Sequence, residues 1–352
     1  MLSKVAERVY WTARYLERVE STARLVSIYD KLMFDLPRRV NIGWYNLIVI
    51  NGVEAGFNDQ YTVRDERNVM KYLLGERSNS GSMVSSLISI RENIRTTRDV
   101  VPLEIWELIN ELNMYVAENL QQGINRSKRH EFLEEVIKGC QQILGLIYST
   151  MPHDAAWEFM RLGRYLERAD MTTRNLDAGV AAVLQTAEDE FSVNAKQIIW
   201  GNVLRSLNAD QSYRRTCKAA VSGHLVVQYL LANQEFPKSV SYCISALIRS
   251  CKRLPHSEKL LAELKQIRAK ITVDVKVQPK GEELRDYLND LQILIGNLHF
   301  AISQEWFPKF DPIPLFENED DEALAETSED TPPQNSASQT QTQSNIDADV
   351  KQ

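Results

Sequence analysis

Apolar positions recur along most of the chain at spacings of three and four residues, the signature of helices that bury one face. The first run extends from Ser3 to about Leu32, and Pro37 and Gly43 bracket a break after it. A short apolar helix over 42–50, a loop over 51–64 and a helix over 65–74 follow. Asn79-Ser80-Gly81-Ser82 opens a helix running to about Val100, and Pro102 suits the first turn of one ending near Gln122. Ser127 caps a helix reaching Thr150, and Asp154 caps a long one running to about Ala187. Ser192–Leu207, Asp210–Ala220, a helix capped by Ser222, one with Pro237 in its first turn, Ser257–Thr272 and Gly281–Trp306 complete the set. Paired strands with hairpin turns are not indicated. The pattern predicts an all-α fold of antiparallel helical bundles.

A repeat divides this pattern. Arg14-Tyr15-Leu16-Glu17-Arg18 recurs as Arg164-Tyr165-Leu166-Glu167-Arg168, an offset of 150 residues. The register continues beyond the identities: Glu20 matches Asp170, Thr22 matches Thr172 and Arg24 matches Arg174. Two related helical halves are expected, 1–150 and 151–310, followed by a tail over 311–352.

On a helical projection Val9, Leu16, Val19, Ala23 and Val26 share one face, as do Phe159, Leu162, Leu166, Ala169, Leu176 and Val180. Arg14, Glu17 and Arg18 point away from that face. Their stripe starts at Tyr10 and continues through Ser21 into Leu25, Ile28 and Leu32, so the charges sit within an otherwise apolar row. A third segment has the same character. Val84 and Ile88 run into Arg91, Arg95 and Arg98, with Glu92 and Asn93 beside them. All basic residues in these segments are Arg, which suits two-pronged contact with carboxylate or phosphate. Three readings stay open: a buried Arg–Glu network that fixes helix register, a site for an anionic ligand or acidic peptide, and a solvated face. Burial of such charges is costly unless each is paired. Glu17 or Glu167 as a general base with flanking Arg residues is the enzymatic alternative, although guanidinium neighbours lower a carboxylate pKa and weaken it as a base.

Charge sharpens the division of the chain. The net charge is -7, but from Glu317 onward ten acids face the single base Lys351, so the tail carries -9 and the rest +2. Such a nearly neutral body argues against a dedicated nucleic-acid binder. The tail, rich in Pro, Gln, Ser, Thr and acids, reads as disordered, either solubilising or a docking segment for a basic partner.

Cys140, Cys217, Cys243 and Cys251 form no C-x-x-C pair and read as reduced thiols. His130, His153, His224, His256 and His299 show no metal-ligand spacing. Phosphate-loop and nucleophile-elbow motifs are missing, so no cofactor and no metal are expected. No signal peptide and no apolar run of about 18 residues is seen, which predicts a cytoplasmic protein without a membrane partner.

The repeat and its surroundings resemble the alpha-E domain family, named for a helical fold and a Glu-Arg motif. The opening from Met1 through Ala6-Glu7 to Arg14–Arg18, the Arg91-Glu92-Asn93 segment with Arg95, and Leu162-Gly163-Arg164 to Ala169-Asp170 carry the likeness. Tyr213-Arg214-Arg215 and Phe236-Pro237-Lys238-Ser239-Val240 are similar to later family segments. The resemblance covers about residues 1–310. It implies a bacterial protein encoded beside circularly permuted ATP-grasp ligases and transglutaminase-like proteases. A role in an amide-forming, peptide-modifying system follows from that setting, as a binding or scaffold protein or as an enzyme of the same pathway. Arg14, Glu17, Arg18, Arg24, Arg91, Glu92, Asn93, Arg95, Arg98, Arg164, Glu167, Arg168, Asp170, Arg174, Tyr213, Arg214 and Arg215 form the candidate charge cluster, ligand-binding or structural.

Overall fold

The computed structural model describes residues 1–35, 43–186, 192–277 and 279–307. The break at Pro37 and the acidic tail over 311–352 lie outside the described residues, and the helix expected to run to about Ala187 ends at Leu184. Those described contain fourteen α-helices and no strand.

Two helices organise the rest: α1 (Ser3–Asp35) and α8 (Ala155–Leu184), which carry the two copies of the pentapeptide. Around α1 pack α5 (Met83–Arg95) and α7 (Arg129–Thr150), with α6 (Leu103–Ile124) closing the group against α5 and α7. Around α8 pack α12 (Val240–Cys251) and α14 (Gly281–Trp306), with α13 (Glu258–Val277) closing that group in the same manner. Short helices fill the edges: α2 (Asn46–Asn51), α3 (Glu54–Gln60), α4 (Glu66–Met70), α9 (Ser192–Ser206), α10 (Asp210–Cys217) and α11 (Gly223–Ala232). One continuous apolar core runs through both groups.

Most neighbours are antiparallel, as expected. Asp30 of α1 meets Arg129 while Ser27 meets His130, so α7 runs against α1. The seam between α1 and α8 is different. Arg14 meets Glu167, while Leu25, Ile28 and Leu32 share a lining with Asn175, Ala178 and Ala182 further along. Residue numbers rise together, so the seam is a parallel pair, which only helices distant in sequence can form without a long return. Close approach is set by Gly163, where a Cβ would overlap the Tyr10 carbonyl oxygen.

Caps explain several boundaries. Ser82, Asp154 and Ser239 each accept a hydrogen bond from the backbone N–H three residues on, satisfying a free donor of the first turn. Ser239 therefore starts α12, and Pro237 lies ahead of the helix rather than in its first turn. Two further expectations are corrected. Residues 54–60 are helical rather than loop, because Phe57 is buried among Tyr45, Tyr61 and Tyr72 and packing overrides the weak local propensity. Helix α5 stops at Arg95 rather than near Val100, since the Thr96 and Thr97 hydroxyls bond back to carbonyls of the last turn.

Candidate functional site

The pentapeptides meet each other across the parallel seam. Arg18 donates through Nε to Glu167 Oε1 at 2.6 Å and through a terminal nitrogen to Oε2 at 3.1 Å, while Arg14 Nε reaches Oε2 at 2.8 Å. The reverse set is equivalent: Arg168 holds Glu17 at 2.6 and 2.7 Å, and Arg164 Nε adds a contact at 3.2 Å. Each carboxylate is thus clasped by two guanidiniums from the other helix. The arrangement follows the isologous logic of a symmetric dimer, in which residue i meets j and j meets i, written here within one chain.

Helical spacing makes this possible. Arg at positions i and i+4 with Glu at i+3 lie on one flank of a turn, so each helix offers two donors around one acceptor. Both carboxylates are 1% exposed. Burial alone would raise their pKa values; Arg168 and then Arg164 outweigh it at Glu17, Arg18 and then Arg14 at Glu167, and both settle at about 2. Arg14 and Arg168 are disfavoured by burial but held firmly charged by the opposing glutamates. Removal of one partner would strand a buried charge, and a one-turn slip of α1 along α8 would strand several, so the clamp fixes register.

A second tier lies one turn on. Arg24 bonds Glu20 at 2.9 Å and Arg174 bonds Asp170 at 2.9 Å, again matched at the repeat offset. Asp170 is shifted upward by burial, only partly offset by Arg174. Lys238, just ahead of α12, is lowered by burial, partly offset by Glu17 and Glu20. Its backbone carbonyl accepts from Thr172 at 2.8 Å, and the neighbouring Pro237 carbonyl accepts from Arg168. Counting Lys238, the two tiers hold seven basic groups against four carboxylates.

The third Arg segment does not join them. Arg95 pairs with Glu92 within α5, both more than half exposed. Arg91 bonds Asn110 and Arg98 lies over the Trp106 ring at 4.1 Å. The Asn93 carbonyl serves only to end the helix. The expected convergence of three Arg rows is therefore corrected to two. Ile90 and Ile94 take the buried face of α5 and turn its arginines outward. Tyr213 is buried with its hydroxyl on the Ala220 carbonyl, Arg214 pairs with Asp210 at the surface, and Arg215 faces a separate cleft.

Three features gave no sequence signal. Tyr10, one turn before Arg14, bonds His299 Nδ1 at 2.9 Å; burial lifts Tyr10 to about 12, and burial together with Arg14 lowers His299 to about 4. Arg129, 1% exposed, ties Asp30, Glu66 and the carbonyls of Gly123 and Ile124 together. Glu158 is equally buried and pairs with Arg161 and Arg253. All three join residues far apart in sequence. Among the described residues no three His, Cys, Asp or Glu side chains gather as metal ligands, and no helix is long and apolar enough to cross a membrane.

A family described as a predicted alpha-helical domain with a conserved ER motif matches residues 1–307. The chain belongs to the alpha-E family. Its two Glu-Arg pairs at the seam, Glu17-Arg18 and Glu167-Arg168, are the centre of the clamp. Among curated proteins, this alpha-E chain is similar to an uncharacterized protein of Mycobacterium bovis and to uncharacterized proteins of two Mycobacterium tuberculosis strains. Each is 22% identical over 272 residues, covering 72% of this chain and 30% of the relative. The chain thus matches about a third of their length. No solved structure matches.

Proposed function

We propose that this alpha-E chain is a non-catalytic helical binding or scaffold protein that acts in the cytoplasm beside an ATP-grasp-type amide or peptide ligase. The observation that carries this reading is the clamp. Glu17 and Glu167 were the best candidates for a general base, yet each is buried, held by two guanidiniums and shifted to about 2. A carboxylate so stabilised accepts a proton poorly near neutral pH. The same bonds give the two helical groups a fixed relative register, which a scaffold needs, and the surplus of basic groups favours an anionic or acidic peptide partner. That the relatives carry the matched region within a much longer chain fits a module working beside other domains.

Co-purification of the full chain with an ATP-grasp-type ligase of the same organism tests the reading. Association, with a change in ligase rate on adding the chain, is the expected result. If the two neither associate nor affect each other, the partnership is lost. If the purified chain alone turns over a peptide, and a folded Glu17→Gln variant does not, the protein is an enzyme instead.

A further inference from the structure

The second-tier arginines, equivalent in sequence, have different surroundings. Arg174 lies against the turn after α2, where a Cβ on Gly52 would overlap its guanidinium. Arg24, largely buried, instead lies at the floor of an open cleft of about 1000 Å³ between α1, α7 and the α9–α10 corner. Ile28 and Ile137 supply its apolar part. Around them stand Lys31 from α1, Lys138 and His130 from α7, Arg205 from the end of α9 and Arg215 from α10. Glu134 and Asp210 are the carboxylates of the lining, and they are already engaged by Lys138 and Arg214. Lys31, Arg205 and Arg215 have no carboxylate partner among the described residues, and Arg205 bonds only the neutral Asn202 side chain. Arg24 keeps its Nε without an acceptor although Glu20 holds another nitrogen.

We propose that this cleft binds a small, multiply phosphorylated anion. Cations from three helices, unneutralised and facing one space, repel one another until an anion enters. Guanidinium forks match phosphate oxygens, and Asn208, Gln211, Ser27 and Ser212 add neutral polar groups around them. Asn208 holds a left-handed backbone (φ 54°), which turns the chain so that α9 and α10 deliver Arg205 and Arg215 to the same side. The volume suits a compact ligand of several charged groups. The proposal does not depend on the ligase partnership.

Titration calorimetry of the full chain with inorganic tripolyphosphate at low salt tests it. Saturable binding is expected, weakening steeply with added salt. Lys31→Gln combined with Arg215→Gln should weaken it at least tenfold. Both side chains are exposed, so circular dichroism and melting should be unchanged. The matched control is Arg91→Gln with Arg95→Gln, which removes the same charge from α5 and should leave affinity intact. No saturable heat at millimolar ligand overturns the proposal. So does equal weakening in the control, which marks a general charge effect. Tighter binding of an eight-residue glutamate peptide than of tripolyphosphate overturns the ligand class.

Discussion

Arg14-Glu17-Arg18 on α1 and Arg91-Glu92-Arg95 on α5 are nearly the same chemistry on adjacent helices. Their fates differ because of what each helix leaves opposite the charges. On α1 the charged row faces α8, whose own arginines and glutamate are complementary, and the carboxylate is sealed from water. On α5 the buried row is Met83, Leu87, Ile90 and Ile94, so the arginines face solvent, Arg95 pairing with Glu92 one turn away and Arg91 with the neutral Asn110 side chain of α6. Local sequence sets which charges sit side by side; a second helix sets whether they carry structural weight.

Glu17→Gln should show the largest difference, a loss of about 3–5 kcal/mol in denaturant unfolding, because the buried Arg168 and the partly buried Arg164 lose their counter-charge. Glu92→Gln should leave the unfolding midpoint unchanged. Comparable midpoints for the two variants would erase the distinction.

Acidity should separate the regions next. Glu17 and Glu167 are shifted down, to about 2, so their contribution is complete above the unfolded carboxylate pKa and is lost as pH falls from about 5 toward 2. The loss should be on the order of 3 kcal/mol per carboxylate. His299, shifted down to about 4, adds a loss of the same sign between about 6.5 and 4. Stability measured by denaturant from pH 7 to 3 should therefore fall, and the Glu17→Gln variant should fall less steeply below pH 5. Parallel curves would contradict the clamp.

Much of this was legible beforehand. Helical periodicity gave the all-α class and most helix bounds, and the pentapeptide repeat marked both clamp helices, because Glu and Arg inside an apolar stripe demand a partner. The parallel seam was not legible, since periodicity is silent on which helices meet. Arg129 and Glu158 were missed for the same reason: their carboxylate and guanidinium partners include residues far away in sequence. The α5 arginines were over-read because a row of Arg following Val84 and Ile88 looks continuous until the neighbouring Ile90 and Ile94 row claims the core.

Two smaller comparisons sharpen the account. Gly163→Ala should cost about 2–3 kcal/mol, because a methyl there meets backbone at the seam and must part the helices. Gly145→Ala on α7, with open space around it, should cost nothing and gain up to about 1 kcal/mol. Equal effects in thermal melting would mean the seam yields easily. Arg18→Lys should lose about 1–2 kcal/mol because an ammonium cannot span both oxygens of Glu167. Arg95→Lys, at the surface, should be silent in the same assay.

The central claim is that the two pentapeptides hold each other across α1 and α8. A double-mutant cycle with Glu17→Gln and Arg168→Gln measures it, using unfolding free energies of the full chain. The clamp predicts a coupling of about 2 kcal/mol or more, with the double variant far less destabilised than the sum of the singles. Additivity within about 0.5 kcal/mol would show that the two side chains do not act on each other, and the clamp would be contradicted.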